Sequence, residues 1–383
     1  MKERTILMAA ALVASGSLAL AANPVTVGSS GDFTTIQAAI SSFAGGGANA
    51  GETPPFVINV DPASGPFDEA LDLDDANAGS GDIQGDIVIQ SGTPGTLVHL
   101  AVQNGAADDG INIYQEIHNV TFREFLFYPS QTNPFTDDLI KIDANTPAGT
   151  DSTDNLISFE SCVFTEIDGA GNPLITEKDQ ALQAAPSSVG STRTGFAYMI
   201  QHWGDDGELF STRLSDCGIY GNIANATIRI AFQDGTQGTG ESFEIDNSII
   251  SGGGYLVRTG SDDGGGDVTI TDSTLHDPTD ANHCFWASGG NTEPTPATFV
   301  NVTFYDPSVP GGSPKSRGIS GSSGVDIQEI TDCRFFTPGP NIVEVPENSY
   351  TVSDTTMHTS TDDNAFFLLP AAGTITVTDT IIS

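Results

Sequence analysis

Three kinds of residue in this chain could do chemistry, and the first is paired aspartate. In Asp108-Asp109, Asp205-Asp206 and Asp262-Asp263 the second carboxylate lies ten residues before a small polar residue (Asn119, Asp216, Asp272), and Asp151 has the same offset from Ser161. If these offsets gather the carboxylates along one edge, they repel unless a cation joins them, and Ca2+ accepts a flexible cage of oxygens. Asp206, Asp262, Asp263 and Asp267 are the candidate ligands. The run Asp262-Asp263-Gly264-Gly265-Gly266-Asp267 is the best single site, although it lacks the full nonapeptide calcium repeat. The competing reading is that an acidic chain places Asp in its turns because Asp suits turns.

The second kind is arginine. Arg258, Trp286 and Arg317 fall at similar phase in three apolar segments, Tyr255-Leu256-Val257-Arg258, His283-Cys284-Phe285-Trp286 and Arg317-Gly318-Ile319. An Arg beside a carboxylate such as Asp262 or Asp263 could bind a uronate or take a proton, the requirement of a polysaccharide lyase or esterase. An Arg among so many Asp can equally be a plain ion-pair partner. The third kind is a file of outward side chains, Arg123, Thr165, Tyr220, Ser251, His276, Tyr305, Phe336 and His358. Its rings at Tyr220, His276, Tyr305 and Phe336, with Trp286, are candidates for stacking on sugars, although aromatics are also simply favoured on strands. The six His show no metal-ligand spacing.

These residues can act together only if something holds them in register, and a repeated phrase supplies it. The order apolar, any, Asp/Asn/Ser, small, any, apolar begins at Phe159, Leu214, Ile245, Ile270, Phe299, Ile330, Val352 and Val377. From Asp216 onward its central polar residues are 22 to 31 residues apart. Such a period, built from β-branched residues, predicts a solenoid of short strands in which each coil lies on the one before. The polar residue suits a corner in the left-handed conformation. Strand alternation then sends Phe164, Ile219, Ile250, Leu275, Phe304, Phe335, Met357 and Ile382 into one inward file, and Cys162, Cys217, Ser248, Ser273, Val302, Cys333, Thr355 and Thr380 into another.

Composition agrees. Forty-three Gly and 21 Pro supply corners, and 38% apolar residues suffice for a thin continuous core. Twelve Lys and Arg against 50 Asp and Glu give a formal net charge of −38, which excludes nucleic acid and anionic membrane surfaces as partners. Residues 1–21, with Lys2 and Arg4 before an apolar run and a small-residue cleavage site at Ala19-Leu20-Ala21, read as a secretory signal. We therefore expect bacterial export to the cell surface or beyond, with no membrane insertion after cleavage. Three of the four Cys occupy the small-residue inward file and are expected as buried free thiols. A bridge between Cys162 and Cys217 is possible if their coils are adjacent, but the 55 residues between them suggest two coils or one coil with an excursion. Cys284 has no evident partner.

Residues 34–43 form a predicted capping helix for the open end, with Thr34 and Gln37 at capping-box spacing and Phe33, Ile36, Ile40 and Phe43 as its apolar stripe. Here the chain resembles the pectin-lyase-like right-handed β-helix superfamily, and its opening is similar to that of pectin methylesterases. Gly28-Ser29-Ser30-Gly31-Asp32-Phe33-Thr34-Thr35-Ile36-Gln37-Ala38-Ala39-Ile40, then Gly65-Pro66-Phe67-Asp68-Glu69, follow that family's opening. The likeness covers about the first 70 residues. The family's catalytic phrases, Gln-Asp-Thr-Leu, Asp-Phe-Ile-Phe-Gly and Leu-Gly-Arg-Pro-Trp, do not occur here, so esterase activity would rest on fold analogy alone.

The expected architecture is a single domain over 22–383: an all-β, right-handed, single-stranded parallel β-helix of roughly ten coils, with a helical N-terminal cap and a loop excursion over 171–204. Its expected role is a secreted module that binds polysaccharide or assembles with other surface proteins. A carbohydrate-active enzyme is the alternative. The last phrase, from Gly373 to Ser383, ends on a core strand, which would favour end-to-end self-association through an uncapped coil if nothing follows it.

Overall fold

A computed structural model describes residues 23–383, except 74–82, 84, 106–108, 115–117, 134–136, 144–154, 183–197, 204–209, 222–225, 233–240, 261–265, 277–282, 288–294, 306–316, 322–324, 337–341, 346–348, 359–366 and 369–373. The leader expected at 1–21 lies outside the described residues. Among them, no helix is long and apolar enough to cross a membrane.

The chain winds as a right-handed parallel β-helix of three sheets, which among the described residues have 12, 10 and 11 strands, every strand pairing within them parallel. Each coil between the first and the last adds one strand to each sheet. The first sheet runs from Val25–Val27 to Ile375–Thr378, the second from Leu71–Asp72 to Phe367–Leu368, and the third from Phe67–Glu69 to Ile381–Ile382. The corner between the first and third sheets is made as the repeat requires. Ser161, Asp216, Asn247, Asp272, Asn301, Asp332, Asp354 and Asp379 all adopt positive φ, between 45° and 58°. Short polar side chains tolerate this region best because they bond their own backbone locally.

Registration at each corner builds the core. Phe164, Ile219, Ile250, Leu275, Phe304, Phe335, Met357 and Ile382 are successive Cα partners up the third sheet. Where the file is aromatic, rings stack: Phe127 on Phe164 at 5.1 Å and Phe304 on Phe335 at 4.4 Å between centroids. Such pairs add about 0.5–1.5 kcal/mol beyond the area they bury. The neighbouring small-residue file satisfies backbone donors from coil to coil: Cys217 N–H donates to Ser248 Oγ, Ser248 N–H to Ser273 Oγ, and Cys333 N–H to Thr355 Oγ1. Cys162, Cys217, Cys284 and Cys333 are buried thiols, none of them in a disulfide. Cys162 and Cys217 lie on adjacent coils, because Val163–Thr165 pairs directly with Gly218–Tyr220. The 55-residue gap is therefore one coil with a long excursion.

The N-terminal end is plugged by the helix Ile36–Ser42, which buries Ile36, Ala39 and Ile40. Its N-cap is Thr35, one residue later than the capping-box spacing at Thr34 suggested; the Thr35 hydroxyl accepts from Ala38 N–H at 3.2 Å. The glutamate of the Gly65-to-Glu69 turn completes the cap. Glu69 Oε1 accepts from Ile36 N–H and Oε2 from Gln37 N–H, so two of the helix's orphan donors are met by a residue from the next coil. At the other end Val377, Ile381 and Ile382 of the last coil are exposed.

Two expected placements are corrected. Arg123 does not belong to the outward third-sheet file. The left-handed corner of its coil is Glu124, at φ 61°, which puts Arg123 on the first sheet opposite Glu160 and in an ion pair with it at 2.7 Å. Tyr220 is not a surface ring. The excursion returns over the third sheet as a 3-10 turn, Lys178–Leu182, and Tyr220, Ile249, Val163, Ile175 and Ala181 form a second apolar cluster beneath it. Tyr220 is 1% exposed, and its file neighbours Thr165 and Ser251 are fully buried.

Candidate functional site

The outward side chains of the second sheet form a file that the corner phrase does not mark. Asn112, Lys141, Gln201, Arg229, Arg258, Trp286, Ser320 and Glu344 are successive Cα partners from coil to coil. Three of the chain's 12 Lys and Arg residues stand on this one file. Rings surround two of them. The Arg229 guanidinium lies 4.6 Å from the Trp203 ring and 5.2 Å from Tyr198, and that of Arg258 lies 4.8 Å from Trp286. Tyr255 stacks on Trp286 at 4.7 Å and 19°, and His283 lies 5.9 Å from Tyr255. Cation–π contacts of this kind contribute about 0.5–2 kcal/mol and hold both partners in one orientation. Arg123, Arg213 and Lys178 elsewhere pair with Glu160, Glu244 and Asp216 as ordinary ions.

Of the sequence-predicted residues, Arg258 and Trp286 are therefore brought together. Arg317 is not in phase with them: its Cα partner is His283, while the partner of Trp286 is Ser320. Asp206, Asp262 and Asp263 lie outside the described residues. Asp267 is an exposed residue that opens the strand Asp267–Thr271. The remaining ring candidates lie on the third sheet. There His276 stacks on Tyr305 at 4.9 Å and 13°, Phe336 follows at 6.5 Å and 60°, and His358 lies 6.4 Å from Phe336. Tyr305 is 36% and Phe336 37% exposed. Burial holds the His276 imidazole below its ordinary pKa.

Two polar clusters escaped the sequence. Beneath the excursion, a cleft of about 420 Å³ is lined by Leu97, His99, Ser161, Glu177, Lys178 and Asp216 among others. Its polar groups already hold one another: Ser161 Oγ donates to Asp216 Oδ2 at 3.0 Å, and Lys178 bridges Asp216 Oδ1 and the Asn247 carbonyl. This is a clamp on the excursion. At the N-terminal end of the second-sheet face, Asp109, Asp137 and Asp138 bring carboxylate oxygens within 4.8 Å of one another. Burial, then the Asp137 and Asp109 charges, push the Asp138 carboxyl up to about 8, against the lowering influence of Lys141 and a backbone N–H. Asp109 belonged to a predicted pair, but its partner is Asp138, which no offset from a corner marks.

No family model, no curated protein and no solved structure matches the chain.

Proposed function

We propose that the protein is an exported β-helix module that binds glycan without turning it over, through the arginine–aromatic strip of the second sheet. The observation that carries this reading is the Trp286 platform. Its indole packs against the Tyr255 ring and the Arg258 guanidinium, and its Cα partner on the next coil is the small, buried Ser320. A sugar presents a C–H face that stacks on such a ring and hydroxyls that accept from guanidinium N–H groups. A β-helix holds the platform rigid, so little ordering entropy opposes binding. The Arg229 cluster, one coil before, gives the strip a length of two to three coils at about 4.8 Å each, enough for a short oligosaccharide. Net charge favours neutral or sparsely charged glycans, because a polyanion would be repelled everywhere outside the strip.

Membership of the pectin-lyase-like superfamily is part of the same proposal; it is supported by the three-sheet parallel solenoid and the plugged N-terminal end. The test is a glycan array with the full chain, followed by titration of the captured glycan against W286A, with product analysis on pectin and alginate alongside. Capture that W286A abolishes, with no product, supports the proposal. Unsaturated product or released methanol would establish the alternative, a lyase or esterase, and no capture at all would remove the binding assignment.

A further inference from the structure

The acidic end of the second-sheet face takes no part in glycan binding as proposed. Asp109 and Asp138 stand just before the strands Ile111–Tyr114 and Ile140–Asp143, whose pairing of Ile111 with Ile140 puts the two aspartates in register one coil apart. Asp109 is 1% exposed and Asp138 0% exposed, while Asp137 faces solvent. Among the described residues they meet Lys141, Gln201 and the Tyr198 backbone N–H, which bonds the Asp138 carboxyl. Lys141 Nζ is 3.8 Å from Asp109 Oδ2 and 3.8 Å from Asp143 Oδ2. Asp138 N–H donates to Asp109 Oδ1 at 3.1 Å. With its amide nitrogen toward Asp138, Gln201 donates to Asp138 Oδ2, and its oxygen accepts from Arg229 Nη1 at 3.2 Å.

What sets this cluster apart from aspartates in turns is Asp138 Oδ1. It is fully buried among like charges and, among the described residues, has no hydrogen-bond partner. A buried carboxylate oxygen left so is costly, and proteins fill such positions with a proton or a cation. Lys141 supplies one positive charge to four carboxylates and stands at 3.8 Å from the two it reaches, so it does not complete the site.

We propose that Asp109, Asp137 and Asp138 bind a hard divalent cation, with Ca2+ as the ion that fits. The donors are all carboxylate oxygens, which suits Ca2+ and offers nothing to a softer metal that wants nitrogen or sulfur. Two buried ligands from adjacent coils and one exposed ligand give a site with a rigid floor and an entry from solvent. The bound ion would tie neighbouring coils together at a point where the hydrophobic core cannot.

The test uses the full chain freed of divalent ions, with Tb3+ as a luminescent probe and Ca2+ as competitor. Tyr198 follows Asp138 in register on the next coil, close enough to sensitise Tb3+. The expected result is a Tyr-sensitised signal that Ca2+ displaces, together with a Ca2+-dependent rise in Tm. Asp138→Asn, which preserves shape, should fold with an unchanged circular dichroism spectrum and bind at least tenfold more weakly. Asp137→Ala, an exposed substitution that the fold tolerates, should also bind about tenfold more weakly, so the test survives if Asp138→Asn misfolds. No sensitised signal and no Tm shift in the unmodified chain would overturn the proposal. So would a signal that both variants retain in full, since the ion would then sit elsewhere on an acidic surface.

Discussion

The outward faces of the second and third sheets both carry files of aromatic residues, but they use their rings differently. On the third sheet the first half of the file, through Tyr220 and Ser251, is sealed under the excursion. In its open half rings lean on rings, His276 on Tyr305 and Phe336 beyond. Each ring there spends a face on its neighbour, and packing alone explains the pattern. On the second sheet the rings lean on cations as well as on one another, Trp203 and Tyr198 on Arg229 and Trp286 on both Arg258 and Tyr255, and the run of rings and cations ends at Ser320. In a solenoid a run of rings is therefore weak evidence of a site. A run in which rings pack on cations, and which then ends on a small residue, is stronger evidence, because the repeat does not require it.

The largest effect that would sharpen this contrast is on stability. Truncating the sealed ring, Tyr220→Ala, should cost about 3–5 kcal/mol, the range for emptying a buried aromatic site. Tyr305→Ala in the open half should cost less than about 1 kcal/mol. Urea unfolding of both variants measures the difference, and equal losses would mean that the two halves are packed alike.

Acid should weaken the scaffold beneath the strip next most. His202 alternates inward between Gln201 and Trp203, is fully buried, stacks on Phe210 and bonds Thr212 Oγ1 through Nδ1 at 2.9 Å. Burial pushes its pKa down to about 3. Below about pH 6.5 the unfolded chain therefore takes up a proton that the folded chain refuses. The resulting loss of stability sets in as pH falls through 6.5 and grows toward 3. At about 1.4 kcal/mol per pH unit, the step from pH 6.5 to 4.5 should cost roughly 2–3 kcal/mol through this residue alone. Comparing the unmodified chain with His202→Phe over that interval isolates the contribution, and parallel pH profiles would show that the imidazole is accessible to protons.

A smaller energy separates the faces functionally. Trp286→Ala should weaken glycan binding by about 1–3 kcal/mol, tenfold or more, the usual worth of a stacking ring in an interface. Phe336→Ala should leave binding within about twofold. The reverse pattern would move the site to the third sheet.

The sequence made the first and third sheets legible because one residue does the registering. A left-handed Asp, Asn or Ser at each corner sets the phase of the strands on either side, so both inward files could be counted outward from it. Glu124 does not stand out as a corner, because glutamate lacks the short side chain that favours this conformation, and the position of Arg123 depends on it. The second sheet was hard to read because the segments joining it to the corners vary in length, so a fixed offset from the corner loses phase. That is why Arg317 pairs with His283 and not in phase with Trp286, why Gln201, within the expected 171–204 excursion, stands instead on the strand Ile200–Trp203, and why no corner offset marks Arg229 or Asp138. The Glu69 cap was invisible for another reason: it joins residues 33 apart that only the first coil's return brings together.

The chain's only two tryptophans, Trp203 and Trp286, both stand on the second-sheet strip, so intrinsic tryptophan emission reports on that face and not on the third sheet. Titrating a captured glycan while following this emission puts the central claim at most risk. The account predicts a saturable change with the same midpoint as binding, diminished in W286A. Glycan binding that saturates while tryptophan emission stays constant would contradict it.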